Sequence, residues 1–144
     1  MIGHYHLPRI LRDLSAHLEY HWTIASIIGG GRQSFIPNRL VHVAYKPILW
    51  FQKGKYQGKA VRDIIQSGKQ DKRFHPHGQS EDEFLHLVQR FTKMGDTVLD
   101  PFVGGGSVAS AAMKLNREFI GIDKDRRSIE ATRRRIEVAT ARPH

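Results

Sequence analysis

The 144 residues contain no cysteine, which excludes a disulfide scaffold and thiolate metal sites. No apolar run approaches the roughly 18 residues that a membrane span needs, and the first residues lack the layout of a secretory signal. These absences suit a cytoplasmic chain with no membrane partner. Acids are scarce: 14 Asp and Glu stand against 23 Lys and Arg, giving a net charge of +9 and a pI near 10.2. A surface of that sign attracts polyanions, nucleic acid being the commonest, although the same charge also serves solubility alone. Hydrophobic residues make up 40% of the chain, so wholesale disorder is excluded, and the length fits a single domain. There is no internal repeat and no low-complexity tract.

What is present is periodic. Leu7, Ile10, Leu11, Leu14 and Leu18 fall on one helical face. Residues 20–28 are rich in aromatic and β-branched side chains and read as a strand, ended by Gly29-Gly30-Gly31. Residues 40–45 and 48–52 read as one strand interrupted at Pro47, or as two short ones. With residues 20–28 they suggest an antiparallel pair joined by a long basic loop over residues 32–39. Residues 53–74 read as a polar, basic loop with a short helix at 61–66. Ser80 precedes Glu83 by three, a capping box, and Phe84, Leu87, Val88 and Phe91 line the helix that follows. Gly95-Asp96 turns the chain into a strand at 97–100. A small-residue helix over 107–115, a strand over 119–122 and a basic helix over 126–138 complete a β-α-β unit with a parallel strand pair and a right-handed crossover. The class is α/β.

The run Val98-Leu99-Asp100-Pro101-Phe102-Val103-Gly104-Gly105-Gly106-Ser107 carries the chemistry. Gly104-x-Gly106-x-x-Ala109 formally satisfies a nicotinamide-dinucleotide fingerprint. However, Asp100-Pro101-Phe102-Val103 separates the strand from the first glycine, and a carboxylate at the strand tip would repel a pyrophosphate. S-adenosylmethionine, with a sulfonium, an ammonium and no phosphate, suits Asp100 better. The glycines let the backbone approach a ligand closely. The helix from Ser107 aims N–H groups at a ligand carboxylate, and Asp123 ends the next strand where an acid takes both ribose hydroxyls. The structural alternative makes Asp100 and Asp123 helix caps and the glycines a tight turn.

Asp100-Pro101-Phe102-x-Gly104-Gly105-Gly106-Ser107, followed by Ala111-Ala112 and Gly121-Ile122-Asp123, resembles the cofactor-binding motif of DNA amino-methyltransferases, which modify N6 of adenine or N4 of cytosine. Gly105-Gly106-Ser107-Val108 stands where that family usually has Ser-Gly-Thr-Thr and keeps the loop small. His75-Pro76-x-x-Gln79 is similar to the family's His-Pro-x-x-Lys-Pro, with Gln79-Ser80 replacing Lys-Pro. The run from Lys46-Pro47 through Trp50-Phe51 to Lys53 resembles a late strand of the catalytic half, and Gly3-His4-Tyr5-His6-Leu7-Pro8 resembles the end of a central strand. The order is the permuted one, catalytic half first.

The resemblance implies a Rossmann-like methyltransferase fold with an incomplete sheet, part parallel and cofactor-binding, part an antiparallel pair. It divides a single domain into a catalytic-half remnant (residues 1–53), a basic loop (54–74) and a cofactor-binding half (75–144). It implies S-adenosylmethionine held by Asp100, Pro101, Phe102, Gly104, Gly105, Gly106, Ser107, Asp123 and His75, and DNA as partner, in a restriction-modification, phage or mobile-element setting. The family's catalytic Asp/Asn-Pro-Pro-aromatic tetrapeptide does not occur, so no catalytic residue is assigned. The chain is expected to be an N-terminally truncated enzyme, inactive alone, with an open edge at residues 97–100 for a homodimer or a complementing catalytic chain. The alternatives are a non-enzymatic DNA- or partner-binding remnant and a nicotinamide-type oxidoreductase fragment. No metal site is assigned to the nine histidines, since a structural site wants four organised ligands. Trp22, Tyr45, Trp50 and Phe51 read as core, with base stacking as the alternative, and Arg133-Arg134-Arg135 reads as a solvated helix face that can also meet phosphates.

Overall fold

The computed structural model describes residues 3–28, 34–68 and 80–141. They fall into two compact units, Met1–Ser67 and Gly68–His144.

In the first unit a 3₁₀ turn, His4–His6, runs into α1 (Leu7–Ser15), with Pro8 in its first turn where a missing N–H costs nothing. Strand β1 (Glu19–Ile27) is the centre of a three-stranded sheet. On one side it pairs antiparallel with β4 (Tyr45–Gln52), and on the other parallel with β5 (Ile64–Gln66). Ile24, Pro47 and Ile65 are buried at its heart. Pro47 does not interrupt the strand. Opposite it, Ala25 donates its N–H away from β4, to the Asp63 carbonyl at 2.7 Å. The Ala25–Pro47 pair therefore exchanges no ladder bond, and a proline on this edge strand is tolerated.

Three further expectations are corrected. The stretch 61–66 contains no helix: Ile64–Gln66 is a strand, extended by the Ser67 N–H bonding the Ile27 carbonyl at 3.0 Å. Residues 34–39 of the expected basic loop are also structured, because β2 (Ser34–Ile36), a 3₁₀ turn (Pro37–Arg39) and β3 (Val41–Val43) form a separate hairpin. Three-residue strands are too short to display a period of two. The core reading fails for Trp22 and Tyr45, which are exposed, Trp22 at 54%, while Trp50 and Phe51 are half-buried. The Gly29-Gly30-Gly31 stop lies outside the described residues.

In the second unit the order is α2 (Glu81–Phe91), β6 (Thr97–Asp100), α3 (Ser107–Lys114), β7 (Glu118–Gly121) and α4 (Arg126–Thr140). Strands β6 and β7 are parallel, pairing Val98 with Phe119 and Leu99 with Ile120, as the β-α-β reading requires. Helix α3 lies among β7, α2 and α4. Its Ala109, Ala111 and Ala112 are fully buried, and their small side chains let three elements close on one helix. Arg117 ties two helix ends together: its guanidinium donates to Thr92 Oγ1 (2.9 Å), to the Thr92 carbonyl (2.7 Å) and to the Leu115 carbonyl. Orphan carbonyls at the ends of α2 and α3 are thereby satisfied.

The capping box is a correction. Ser80 is the N-cap of α2, but its side chain makes no capping bond, and its buried Oγ has no hydrogen-bond partner among the described residues. The first turn of α2 is held instead through Glu81, whose Oε1 accepts from Ser110 Oγ (2.5 Å) and Lys114 Nζ (2.9 Å) and whose Oε2 lies 3.8 Å from Arg135 Nη2. Burial alone would raise this carboxyl, but the Ser110 and Lys114 hydrogen bonds and the charges of Lys114 and Arg135 outweigh it and hold it below the usual carboxylate range. A depressed folded-state pKa makes a stabilising contribution that is complete above the unfolded glutamate value of about 4.3 and is lost as pH falls through the lower folded value. Acid unfolding of Glu81→Gln should accordingly be shallower than that of the wild type below about pH 4.3, with lower stability at pH 7. Denaturant titrations across pH 2.5–7 measure this, and parallel profiles for the two proteins would refute it.

Candidate cofactor-binding site

The site is built where β6 ends. Asp100, at the strand tip, accepts the Phe102 N–H on Oδ1 at 3.0 Å, which folds Asp100-Pro101-Phe102 into a side-chain turn. That turn throws the Phe102 ring outward, 85% exposed. The chain then passes Gly104 (φ +48°) and Gly106 (φ +70°) before α3 begins at Ser107. The two positive-φ glycines do different work. A Cβ on Gly104 would meet nothing nearer than the Phe102 carbonyl at 3.9 Å, so this residue leaves open space above the loop. A Cβ on Gly106 would fall 2.9 Å from Thr132 Cα, so this residue lets the loop close on α4.

Every turn of the loop is tethered. Asp123, just past β7, accepts the Gly104 N–H on Oδ2 (3.0 Å) and the Asp125 N–H on Oδ1 (2.9 Å). Thr132 Oγ1 donates to the Gly104 carbonyl at 3.2 Å, Arg135 Nη1 to the Gly105 carbonyl at 3.3 Å, and the Gly106 N–H to the Val103 carbonyl at 2.8 Å. The second acid of the motif thus touches the glycine loop directly. Neither Asp100 nor Asp123 caps a helix; the cap of α4 is Asp125, which accepts from the Arg127 N–H.

The residues singled out in the sequence fall together here. Asp100 and Asp123 are half-buried, Pro101 and Phe102 exposed, Gly104 and Gly105 half-buried, and Gly106 and Ser107 buried. His75 lies outside the described residues. Sequence reasoning missed Thr132 and Arg135. Arg133 and Arg134 are exposed, as a solvated face requires, but Arg135 is buried, its side chain 3% accessible. The spacing Ser128, Thr132, Arg135 is i, i+4, i+7 and puts all three, all buried, on one face of α4; that polar stripe was the available signal.

Residues 72–134 match the family model described as DNA methylase. Over 85 residues the chain is 35% identical to the type II methyltransferase M2.DpnII of Streptococcus pneumoniae, a match covering 56% of this chain and 32% of that protein. Over 51 residues it is 43% identical to the type II methyltransferase M.BglI of Bacillus subtilis, covering 35% of this chain and 15% of that one. The chain spans about a third or less of the length of these curated relatives. Among solved structures, the complex of M1.HpyAVI with SAM matches with a TM-score of 0.74 at 21% identity, covering 94% of this chain and 71% of that one. The cytosine-N4-specific PvuII DNA methyltransferase also matches at 0.74, with 15% identity and coverage of 94% and 61%. At these identities the likeness is one of fold, the Rossmann-like methyltransferase α/β fold.

The two glycines separate in a substitution test. Gly104→Ala should cost only left-handed backbone strain, roughly 1–2 kcal/mol. Gly106→Ala adds a collision with the α4 backbone and should cost about 2–4 kcal/mol. Denaturant midpoints rank the two, and equal losses would show that the loop does not press on α4.

Proposed function

We propose that this chain, whose residues 72–134 match the DNA methylase family model, is the cofactor-holding part of a DNA amino-methyltransferase, with S-adenosylmethionine as methyl donor and DNA as partner. The single observation that carries this reading is the bond between Asp123 and the Gly104 N–H beneath open space. It sets the acid and the loop in one frame beside that open space.

The residues present fit that cofactor. The donor supplies a methyl group on a positively charged sulfur. Asp100 places negative charge at the strand tip, where a cationic methionine end is favoured and a phosphate is not. Asp123 accepts one backbone N–H on each carboxylate oxygen, and an acid at this position is the group that takes ribose hydroxyls. Gly104 leaves the approach clear, and the exposed Phe102 ring offers an apolar face. His75 is carried as a contact to the methionine end on its motif alone.

Transfer also needs a group that orients the acceptor amine. No Asp-Pro-Pro or Asn-Pro-Pro occurs among the 144 residues, so that group comes from another chain or segment. The face of the β6–β7 pair bearing Leu99 and Ile120, with Ile122 beyond it, is exposed, and among the described residues β6 pairs with β7 alone. An apolar face and an unpaired edge on a parallel sheet suit a complementing chain or a second copy of this one. A cytoplasmic setting goes with this reading; among the described residues no helix is long and apolar enough to cross a membrane. A second reading, a DNA-binding module without transfer, is favoured by the same missing tetrapeptide.

Titration calorimetry on the full chain decides between them. S-adenosylmethionine and its demethylated product should bind and NAD should not. Asp123→Ala should weaken binding by at least tenfold, since one charge-assisted hydrogen bond is worth about 1.5–3 kcal/mol. Silence with both methionine ligands favours the module, and binding of NAD alone would overturn the assignment.

A further inference from the structure

Scattered exposed apolar side chains are ordinary, but Leu40 is held out against two penalties at once. It is 81% exposed, and its backbone lies in the left-handed region (φ 53°, ψ 40°), where leucine is rarely found. Its place is the end of the β2–β3 turn, between Arg39 and the exposed Val41.

That tip is braced. The Leu40 N–H reaches the Pro37 carbonyl at 3.4 Å. Tyr5 Oη donates to Asn38 Oδ1 at 2.6 Å, and the Arg39 guanidinium lies 5.8 Å from the centre of the same tyrosine ring. Phe35 and His42 face each other across the hairpin with ring centres 4.8 Å apart. The hairpin borders a cavity of about 530 Å³, whose lining includes Tyr5, Arg39, His42 and Tyr45. Arg39 adjoins the tip, within a basic stretch of sequence: from residue 20 to residue 62 there are seven lysines and arginines and no acid. A strained, exposed apolar point beside Arg39 in a basic stretch fits a polyanion with an apolar interior that can be opened.

We propose that Leu40 is a wedge for duplex nucleic acid, entering the stack at an unstacked or vacated base position while Arg39 and its neighbouring cations meet the phosphates. A side chain in that position replaces the stacking that is lost when a base leaves the helix. The inference rests on the reading that DNA is the partner and adds the residue that enters it. Preset strain has a use here, because the backbone already holds Leu40 out of the protein when contact is made.

The test uses the full chain and two labelled duplexes of one sequence, one intact and one with a single central abasic site, read by fluorescence anisotropy. The wild type should bind the abasic duplex at least fivefold more tightly. Leu40→Ala and Leu40→Gly should lose that preference and keep the affinity for the intact duplex within twofold, while Leu40→Met retains it. Leu40→Gly also relieves the left-handed strain, so its melting temperature should equal or exceed that of the wild type, separating loss of the wedge from misfolding. Equal wild-type affinity for both duplexes, or a preference that survives in Leu40→Ala, overturns the wedge and leaves DNA as partner. Failure to bind either duplex overturns both. Binding to vesicles containing phosphatidylserine, without binding to either duplex, overturns both as well and assigns Leu40 to a lipid surface.

Discussion

The geometry of the second unit depends on one buried cation. Arg135 carries its charge with a side chain only 3% accessible, and burying such a group costs several kcal/mol unless it is paired and hydrogen-bonded. The balancing groups come from elements far apart in sequence: the Gly105 carbonyl at 3.3 Å and the Glu81 carboxylate at 3.8 Å. Satisfying Arg135 therefore fixes the glycine loop against α4 and the start of α2 in one operation. Glu81 passes the constraint on to Ser110 and Lys114 of α3. Removal of the Glu81 carboxylate would take a counter-charge away from this buried cation, which is costly in an interior of low polarity.

A run of three glycines is the most flexible sequence a chain can offer, yet this loop has one set shape. The backbone groups of Gly104, Gly105 and Gly106 are taken by Asp123, Thr132, Arg135 and Val103. Glycine supplies the dihedral angles and the clearance, and the neighbours remove the freedom that comes with them. The entropy of ordering the loop is thus met on folding and not on ligand binding. The same economy leaves one part of the unit unfinished. Helix α3 lies against the β6–β7 pair, while Leu99, Ile120 and Ile122 stay exposed, although parallel strands are ordinarily covered on both sides.

The legible parts of the chain were those with a long period or a rigid grammar. The β-α-β half was readable because strand, glycines, small-residue helix and second strand follow in close register, and each element came out within about two residues. The elements misread were short or depended on tertiary partners. Strands β2, β3 and β5 have three residues each, fewer than alternation needs to show itself. The Ser80–Glu83 box was outcompeted because Glu81, not Ser80, found partners on α3. Arg135 was hidden in an arginine run whose other two members behave as expected, and only the helical spacing from Ser128 through Thr132 distinguishes it. Pro47 was misjudged because its tolerance depends on which way Ala25, its partner across the ladder, points its N–H.

The loop's hydrogen bonding also bears on which nucleotide it suits. A pyrophosphate is held by glycine-loop and helix N-terminal N–H groups aimed at it. Here the Gly104 N–H is given to Asp123 and the Gly106 N–H to Val103, inside the protein. The acceptor of the first is itself a carboxylate, so a phosphate arriving at Gly104 would meet negative charge where a dinucleotide site presents a donor. Asp100 adds a second carboxylate at the strand tip. Two acids flanking a loop with two of its three glycine donors already engaged favour a ligand that offers hydroxyl donors and positive charge over one that offers phosphate oxygens. That selection is made by the protein's own hydrogen bonds, and it explains why a loop that fits the dinucleotide spacing letter by letter has the wrong chemistry for a dinucleotide.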